Sequence, residues 1–328
     1  NPSTRFVMNT AYAAVGGAGA LLALAGQITI GSISSFLMYS NLFSKPFTEI
    51  SGVMTQLQSA VSSARRVFAI CDEPDEEEDG KQELSVHEGR VDFEHVRFSY
   101  EKGRELMKDI TLHIPSGSRV AIVGRTGAGK TTLVNLLMRF YEIDDGAILI
   151  DGQDIRQCTK NSLRRQFGMV LQDTCLFEGT IAENIAFGKP EASRKEIEEA
   201  ARKSGAHEFI LRLDKGYDTM IHAGSTSLSQ GQRQLLSITR VLLMDPRMLI
   251  LDEATSSIDT LSEQHVNRAM ELLMKGKTSF IIAHRLATIT DADLILVMEQ
   301  GNIIEQGTHE ALLHAGGAYA KLFNSQFV

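Results

Sequence analysis

The sequence predicts two parts: an all-α helical hairpin, followed by an α/β domain built on a parallel sheet. Residues 6–44 contain no charged side chain, which is typical of helices that lie in a membrane. Farther along, short apolar runs such as MLILDEA and SFIIAH alternate with helical patterns, as expected for buried parallel strands. Another apolar run, SRVAIVG, leads directly into the glycine-rich loop GRTGAGKTT.

The uncharged N-terminal run is longer than the roughly 20 residues that one membrane span needs, so we divide it at residues 27–31. The first helix is predicted over Phe6–Gly26. The second is predicted over Ser32–Phe47 and continues as a more polar helix towards Ala69. A helical hairpin buried in a soluble protein remains an alternative. A cleavable signal peptide fits less well, because the apolar run does not stop after one short core.

Basic residues flank both ends of the hairpin, with Arg5 before it and Lys45, Arg65 and Arg66 after it. Since basic residues favour the cytoplasmic side, both ends of the hairpin and the remaining chain are expected in the cytoplasm. The sequence therefore predicts a multi-pass protein of the plasma membrane, in contact with membrane lipid.

Composition limits the other classes of function. The formal net charge of −8 without a basic stripe argues against nucleic acid as a partner. The cysteines are too few and too scattered for a disulfide framework or a metal cluster, and we expect reduced thiols at Cys71, Cys158 and Cys175. The acidic stretch CDEPDEEEDG predicts a solvated linker. We expect membrane helices in residues 1–70, a linker in 71–90 and a soluble domain in 91–328.

From Val91 onwards the pattern becomes one of short strands. The runs VDFEHVRFSY and ITLHI alternate apolar and polar residues, which predicts a smaller antiparallel sheet beside the parallel one.

The glycine-rich loop matches G-x-x-x-x-G-K-[ST] at every fixed position, with a strand before it and a helix after it. Its backbone N–H groups and the helix N-terminus can surround phosphate oxygens, and Lys130 adds a positive charge. Thr131 is predicted to bind Mg²⁺ through its hydroxyl. The residues predicted to hold ATP here are Gly124, Arg125, Thr126, Gly127, Ala128, Gly129, Lys130, Thr131 and Thr132.

Two acidic residues end the strand pattern MLILDEA. Asp252 is predicted to hold Mg²⁺, and Glu253 to orient the water that attacks the γ-phosphate. Two adjacent acids could also simply begin a loop, but that interpretation is weak beside an intact phosphate loop.

The stretch TSLSQGQRQLLSITR has two interpretations. Ser229 and Gln232 have the spacing of a capping box, so the stretch can simply begin a helix with Leu235, Ile238 and Leu242 on its buried face. A helix N-terminus also attracts anions, which would make this a second phosphate contact.

The order of the phosphate loop, Gln172, LSQGQ, LDEATSSID and AHR resembles the nucleotide-binding domain of ATP-binding cassette (ABC) transporters, from Val91 to about Phe327. This resemblance implies an α/β P-loop NTPase fold with antiparallel β and helical subdomains. The runs FLMYSNLFSKPFTEI and ARRVFAI resemble the last two of six membrane helices of an exporter-type half-transporter. Because the sequence also lacks an initial Met, we expect a fragment of a longer protein.

The resemblance implies further roles, beginning with Tyr100, which would stack on adenine unless it is a core residue at a strand end. Gln172 would contact Mg²⁺ and the attacking water. His284 would contact the γ-phosphate, and Glu253 would be the general base. Asp259 would lie in the loop that joins the two ATP sites of a dimer.

In this family, LSGGQ-type elements face the phosphate loop of a second subunit. Ser229, Gly231 and Gln232 are therefore expected at ATP bound by a partner half-transporter. Gln230 stands where the commonest form has Gly, and a heterodimer with unequal sites is favoured over a homodimer on this ground. The exported substrate, a small molecule, lipid or peptide, is left open. The alternative function is an ABC ATPase with a non-transport, channel or regulatory role.

Overall fold

The computed structural model describes residues 2–73, 80–101, 103–171, 174–222, 228–252, 260–283 and 286–327. The chain divides into two compact units, Asn1–Glu77 and Glu78–Val328.

The first unit is a hairpin of two helices, α1 (Pro2–Leu24) and α2 (Ile30–Cys71). Glycine allows the two helices to approach closely, because a Cβ at Gly19 would lie 3.2 Å from the Ile33 side chain. The turn between Leu24 and Ile30 lies close to the predicted break at residues 27–31. Among the described residues, one segment, Arg5–Leu24 of α1, is long and apolar enough to cross a membrane.

The second unit contains all the strands that the structure describes. They are β1 (Val91–Phe98), β2 (Met107–Ile114), β3 (Arg119–Val123), β4 (Asp145–Ile150), β5 (Gln153–Asp154), β6 (Phe167–Val170), β7 (Gly179–Thr180), β8 (Met220–Ile221), β9 (Met248–Asp252), β10 (Thr278–Ile282), β11 (Leu294–Glu299) and β12 (Asn302–Gly307).

The helices of the second unit lie between these strands. In the described part of the chain they are α3 (Lys130–Leu137), α4 (Lys160–Arg165), α5 (Ile181–Ala186), α6 (Arg194–Ser204), α7 (His207–Leu211), α8 (Gln230–Met244), α9 (Thr260–Met274), α10 (Leu286–Thr290), α11 (His309–Ala315) and α12 (Ala318–Phe327).

Two larger sheets organise this unit. Among the described residues, one has the strand order β12-β11-β3-β10-β9-β6, parallel except for its edge strand β12. The other is antiparallel, in the order β2-β1-β4-β5. The predicted pairing of a parallel core with a smaller antiparallel sheet is confirmed. Strand β10 is buried along its whole length, as expected for a strand with neighbours on both faces.

The core of the second unit reaches upstream of its first strand. Leu84 and Val86 are 4% and 8% exposed and belong to the same apolar cluster as β1. These residues lie within 71–90, the range predicted to be a linker, but beyond the acidic stretch itself, which ends at Gly80. Cys158 is buried, and Cys71 and Cys175 are exposed.

Candidate functional site

The glycine-rich loop joins the central strand β3 to helix α3. Gly124 has φ = 151°, and a side-chain carbon there would overlap the carbonyl oxygen of Met298. Gly129 precedes α3 with φ = 100° and supplies no side-chain cap. Because these positions exclude a side chain, the loop backbone stays open at the start of the helix.

Lys130 begins α3 and folds back over this loop. Its Nζ donates hydrogen bonds to the carbonyl oxygens of Gly124 at 2.7 Å and Arg125 at 3.1 Å. Burial lowers the pKa of the Lys130 ammonium from its ordinary value, and the negative charge of Asp252 acts in the opposite direction. The ammonium group is thus held by two neutral oxygens, which a phosphate with its full charge can replace.

A cleft of about 550 Å³ opens above the loop and brings most of the predicted ATP-binding residues together. Its volume is in the range of small-molecule sites. The predicted residues that line it are Tyr100, Thr126, Gly127, Gly129, Lys130, Thr131, Thr132 and Asp252.

Three residues of the predicted phosphate loop, Gly124, Arg125 and Ala128, do not line this cleft. Gly124 and Arg125 instead supply the carbonyl oxygens that hold Lys130. Ala128 is 5% exposed, and its carbonyl oxygen accepts a hydrogen bond from the N–H of Gly301. These three residues hold the shape of the loop.

Tyr100 lies at the rim of the cleft, and half of its surface is exposed. Its hydroxyl is 3.0 Å from the hydroxyl of Thr132, and its ring makes edge contacts with Phe98 and Tyr141 at 4.8 and 5.0 Å. The ring is therefore fixed at a cleft wall rather than buried in the core. Stacking on adenine stays a prediction.

Sequence reasoning missed one wall of the cleft. This wall is formed mainly by the turn between β1 and β2, whose residues match no motif. They are Glu101, Arg104, Glu105 and Leu106, and Ile282 at the end of β10 joins them. The signal that could have found them is their position directly after Tyr100.

Oxygen ligands suitable for Mg²⁺ are present in the cleft. The hydroxyl of Thr131 and the carboxylate of Asp252 both line it, and Mg²⁺ prefers such oxygen donors. No group of three or more His, Cys, Asp or Glu residues with metal-site geometry occurs among the described residues. The donor set thus suits an ion that completes its shell with phosphate oxygens and water.

The LSQGQ stretch forms a complete capping box at the start of α8. The Ser229 hydroxyl accepts a hydrogen bond from the N–H of Gln232 at 3.2 Å, and the Gln232 carbonyl accepts one from the N–H of Ser229 at 2.9 Å. The capping interpretation is confirmed. Gly231 is buried within the first turn, and none of these residues lines the cleft around Lys130.

Four predicted site residues, Gln172, Glu253, Asp259 and His284, lie outside the described residues. Strands β6, β9 and β10, which come just before Gln172, Glu253 and His284, are parallel neighbours. Parallel strands that are adjacent end at one edge of the sheet, and Asp252 of β9 and Ile282 of β10 both reach the cleft there.

Comparison with known proteins matches residues 107–256 to the ABC transporter family model. A "Fatty acid ABC transporter ATP-binding/permease protein" of Mycobacterium bovis is 52% identical over 98% of the chain and 51% of the relative. An "ATP-dependent lipid A-core flippase" of Chromohalobacter salexigens is 45% identical over 93% of the chain and 53% of the relative.

Among solved structures, a bacterial Atm1-family ABC exporter with ATP bound superposes with a TM-score of 0.73 and 37% identity. The match covers 99% of this chain and 57% of the exporter chain. The chain thus spans about half the length of the relatives it matches. It belongs to the ABC transporter family and contains the ATP-binding domain of the exporter ATP-binding/permease type.

Proposed function

We propose that this chain is the ATP-hydrolysing part of an exporter-type half-transporter in the plasma membrane, with its ATP-binding domain in the cytoplasm. The observation that carries the proposal is the single cleft that contains Lys130, Thr131, Asp252 and Tyr100. A positive charge, two oxygen ligands and an aromatic ring there match the triphosphate, the Mg²⁺ and the adenine of MgATP.

The proposal assigns a task to each predicted site residue. The loop N–H groups and Lys130 bind the phosphates, while Thr131, Asp252 and Gln172 hold Mg²⁺, which neutralises phosphate charge when bound. Glu253 accepts the proton of the attacking water, and His284 contacts the γ-phosphate. Tyr100 orients the adenine by stacking.

A second half-transporter completes each ATP site. The capping box engages only the acceptor side of the Ser229 hydroxyl, so its O–H remains available to donate to the γ-phosphate of ATP bound by the partner. Gly231 and the N-terminus of α8 support the same contact. ATP then joins the two domains head to tail, and hydrolysis separates them. Closure switches the attached membrane helices between inward and outward access.

The proposed substrate is a lipid with acyl chains. Support comes from the names of two relatives, a fatty acid transporter and a lipid A-core flippase, and from their identity to this chain across both of its units. The test is ATP-driven transfer of an acyl-labelled fluorescent lipid across vesicles that contain the full-length protein. Transfer without ATP would favour the channel alternative, and ATP hydrolysis unaffected by any lipid would contradict the substrate proposal.

The partner is proposed to be a different half-transporter. Gln230 occupies the first turn of α8, beside the predicted phosphate contact, and its side chain would weaken that contact relative to glycine. The ATP site completed by this chain should therefore hydrolyse more slowly than the other. The test introduces Glu→Gln and signature Ser→Ala changes into each partner separately and measures ATPase activity. Equal losses in every pairing, or an active assembly of this chain alone, would contradict the heterodimer.

A further inference from the structure

A second cavity lies between the parallel sheet and helices α8 and α9. It has a volume of about 180 Å³. Its apolar walls include Ile238 of α8, Leu251 of β9, and Met270 and Met274 of α9. An apolar cavity of about 150 Å³ is large enough to bind benzene. The cavity can therefore hold one small aromatic or branched aliphatic molecule.

One polar group in this cavity lacks a partner. Gln234 lines the cavity and is 3% exposed, and its side-chain oxygen has no hydrogen-bond partner. In the part of the chain that the structure describes, two other buried side-chain oxygens share this condition, in Thr174 and Thr219, and neither lines this cavity. A buried amide oxygen left unpaired costs about 1–3 kcal/mol. A donor inside the cavity would remove this cost.

Charge at the cavity walls favours a cation over an anion. The carboxylate of Glu271 is opposed by Arg119 at 2.8 Å, and that of Asp252 is opposed by Lys130. Asp291, an exposed residue that also lines the cavity, adds a further negative charge on its solvent side. An anionic ligand would meet this excess of carboxylates, whereas an ammonium group would be attracted by it.

We propose that this cavity is a binding site for a small, mainly apolar amine. The amine donates a hydrogen bond to the Gln234 oxygen, and its hydrocarbon part packs against Met270 and Met274. An occupant contacts both α8, which begins after Ser229, and β9, which ends at Asp252. Any effect on hydrolysis rests on the proposed function, so binding is measured separately from turnover.

Methionine signals provide a direct readout of occupancy. The full-length protein that contains these 328 residues is reconstituted in lipid nanodiscs with methyl-labelled methionine and titrated with benzylamine, and methyl spectra are recorded. We expect saturable shifts of the Met270 and Met274 signals and no shift of Met107, which is fully buried in a different cluster. Toluene should bind more weakly than benzylamine, and benzoate should produce no shift.

Two variants test the contacts. Gln234→Leu keeps a similar side-chain volume but removes the acceptor, and should weaken benzylamine binding about tenfold while toluene binding changes less than about twofold. Val266→Phe extends a ring into the cavity and should abolish both. The ligand series on the unmodified chain decides the question even where a variant does not fold. Three results would each contradict the proposal and identify a cavity that holds only water. They are unshifted signals of Met270 and Met274, binding of benzoate as strong as that of benzylamine, and an unchanged benzylamine affinity in Gln234→Leu.

Discussion

Helices α3 and α8 both begin at a turn of small or polar residues, but their N-termini are completed differently. At α3 the preceding residue is Gly129, which has no side chain to cap the helix, and the loop glycines adopt positive φ angles that favour glycine. At α8 the preceding residue is Ser229, and its own capping box with Gln232 satisfies part of the helix end.

Under the proposed function, this difference separates a site that the chain forms for itself from one that it offers to a partner. Uncapped N–H groups at α3 need an outside acceptor, and a phosphate supplies it. The N-terminus of α8 is already capped without a ligand. Under the proposed function, the remaining hydroxyl donor of Ser229 forms its contact only on assembly.

Glu253→Gln should have the largest effect, because it keeps both helix starts and removes only the proposed base. We expect hydrolysis to fall about 100- to 10,000-fold, the usual contribution of general base catalysis, with ATP binding unchanged. ATP should then trap the closed dimer. ATPase assays of the complete transporter measure hydrolysis, and gel filtration detects the trapped dimer. Glu299→Gln serves as a surface control. Turnover near the normal rate would exclude Glu253 as the base.

Lys130→Ala acts on the α3 start alone. Loss of the charge that faces the phosphates should weaken ATP binding about 100-fold, within the range for hydrogen bonds to charged groups. Titration with a fluorescent ATP analogue measures the affinity. Lys203→Ala is the matched control, because that lysine is exposed and forms an ion pair with Glu199 away from the cleft. Equal affinity in the Lys130 and Lys203 variants would place the phosphates elsewhere.

Ser229→Ala acts on the α8 start alone. Loss of the cap should cost about 1 kcal/mol of unfolding free energy. Ser193→Ala should cost at least as much, because Ser193 caps α6 in a capping box with Glu196 and also donates a hydrogen bond to that carboxylate. Only the Ser229 variant should weaken ATP-driven dimer closure, by about 30-fold, while ATP binding to the isolated chain persists. If both serine variants close normally, α8 carries a cap and no partner contact.

Tyr100→Ala should weaken ATP binding by about 1 to 3 kcal/mol, the value of one base–aromatic stack. Tyr100→Phe keeps the ring and loses only the hydroxyl contact with Thr132, so its ATP affinity should stay close to normal. Calorimetric titration distinguishes the two. An unchanged affinity in the alanine variant would make Tyr100 a structural residue.

A third group of backbone N–H donors, unlike those at α3, already has an acceptor within the chain, the carboxylate of Asp151. Its carboxylate accepts hydrogen bonds from four consecutive backbone N–H groups, those of residues 87–90. Burial opposes ionisation, but the four N–H donors together hold the pKa of Asp151 below its ordinary value.

Asp151→Asn should therefore lower the free energy of unfolding by about 1–3 kcal/mol at pH 7 and leave the ATP contacts unchanged. A carboxyl group with a lowered folded pKa stabilises fully above its unfolded pKa of about 3.9, and this contribution is lost as the pH falls through the lower folded value. The free energies of unfolding of Asp151→Asn and of the unmodified chain, measured with urea, should therefore become more similar below pH 4. Asp214→Asn, at an exposed position, should show no such difference at any pH.

Sequence by itself determined the parts whose chemistry is local. The phosphate loop, the capping box at Ser229 and the strand before Asp252 each follow from residues adjacent in the chain, because turn geometry, capping and strand alternation depend on near neighbours. The helical hairpin follows from the uncharged run in the same way.

Only the tertiary structure decided which distant residues meet. Arg104 and Leu106 enter the cleft because the turn between β1 and β2 lies beside the loop, and no spacing in the sequence encodes that approach. Leu84 and Val86 join the core although their surroundings are those of a linker. The unpaired oxygen of Gln234 likewise arises from how α8 and α9 pack on the sheet, because packing of elements far apart in the chain determines which buried groups find partners.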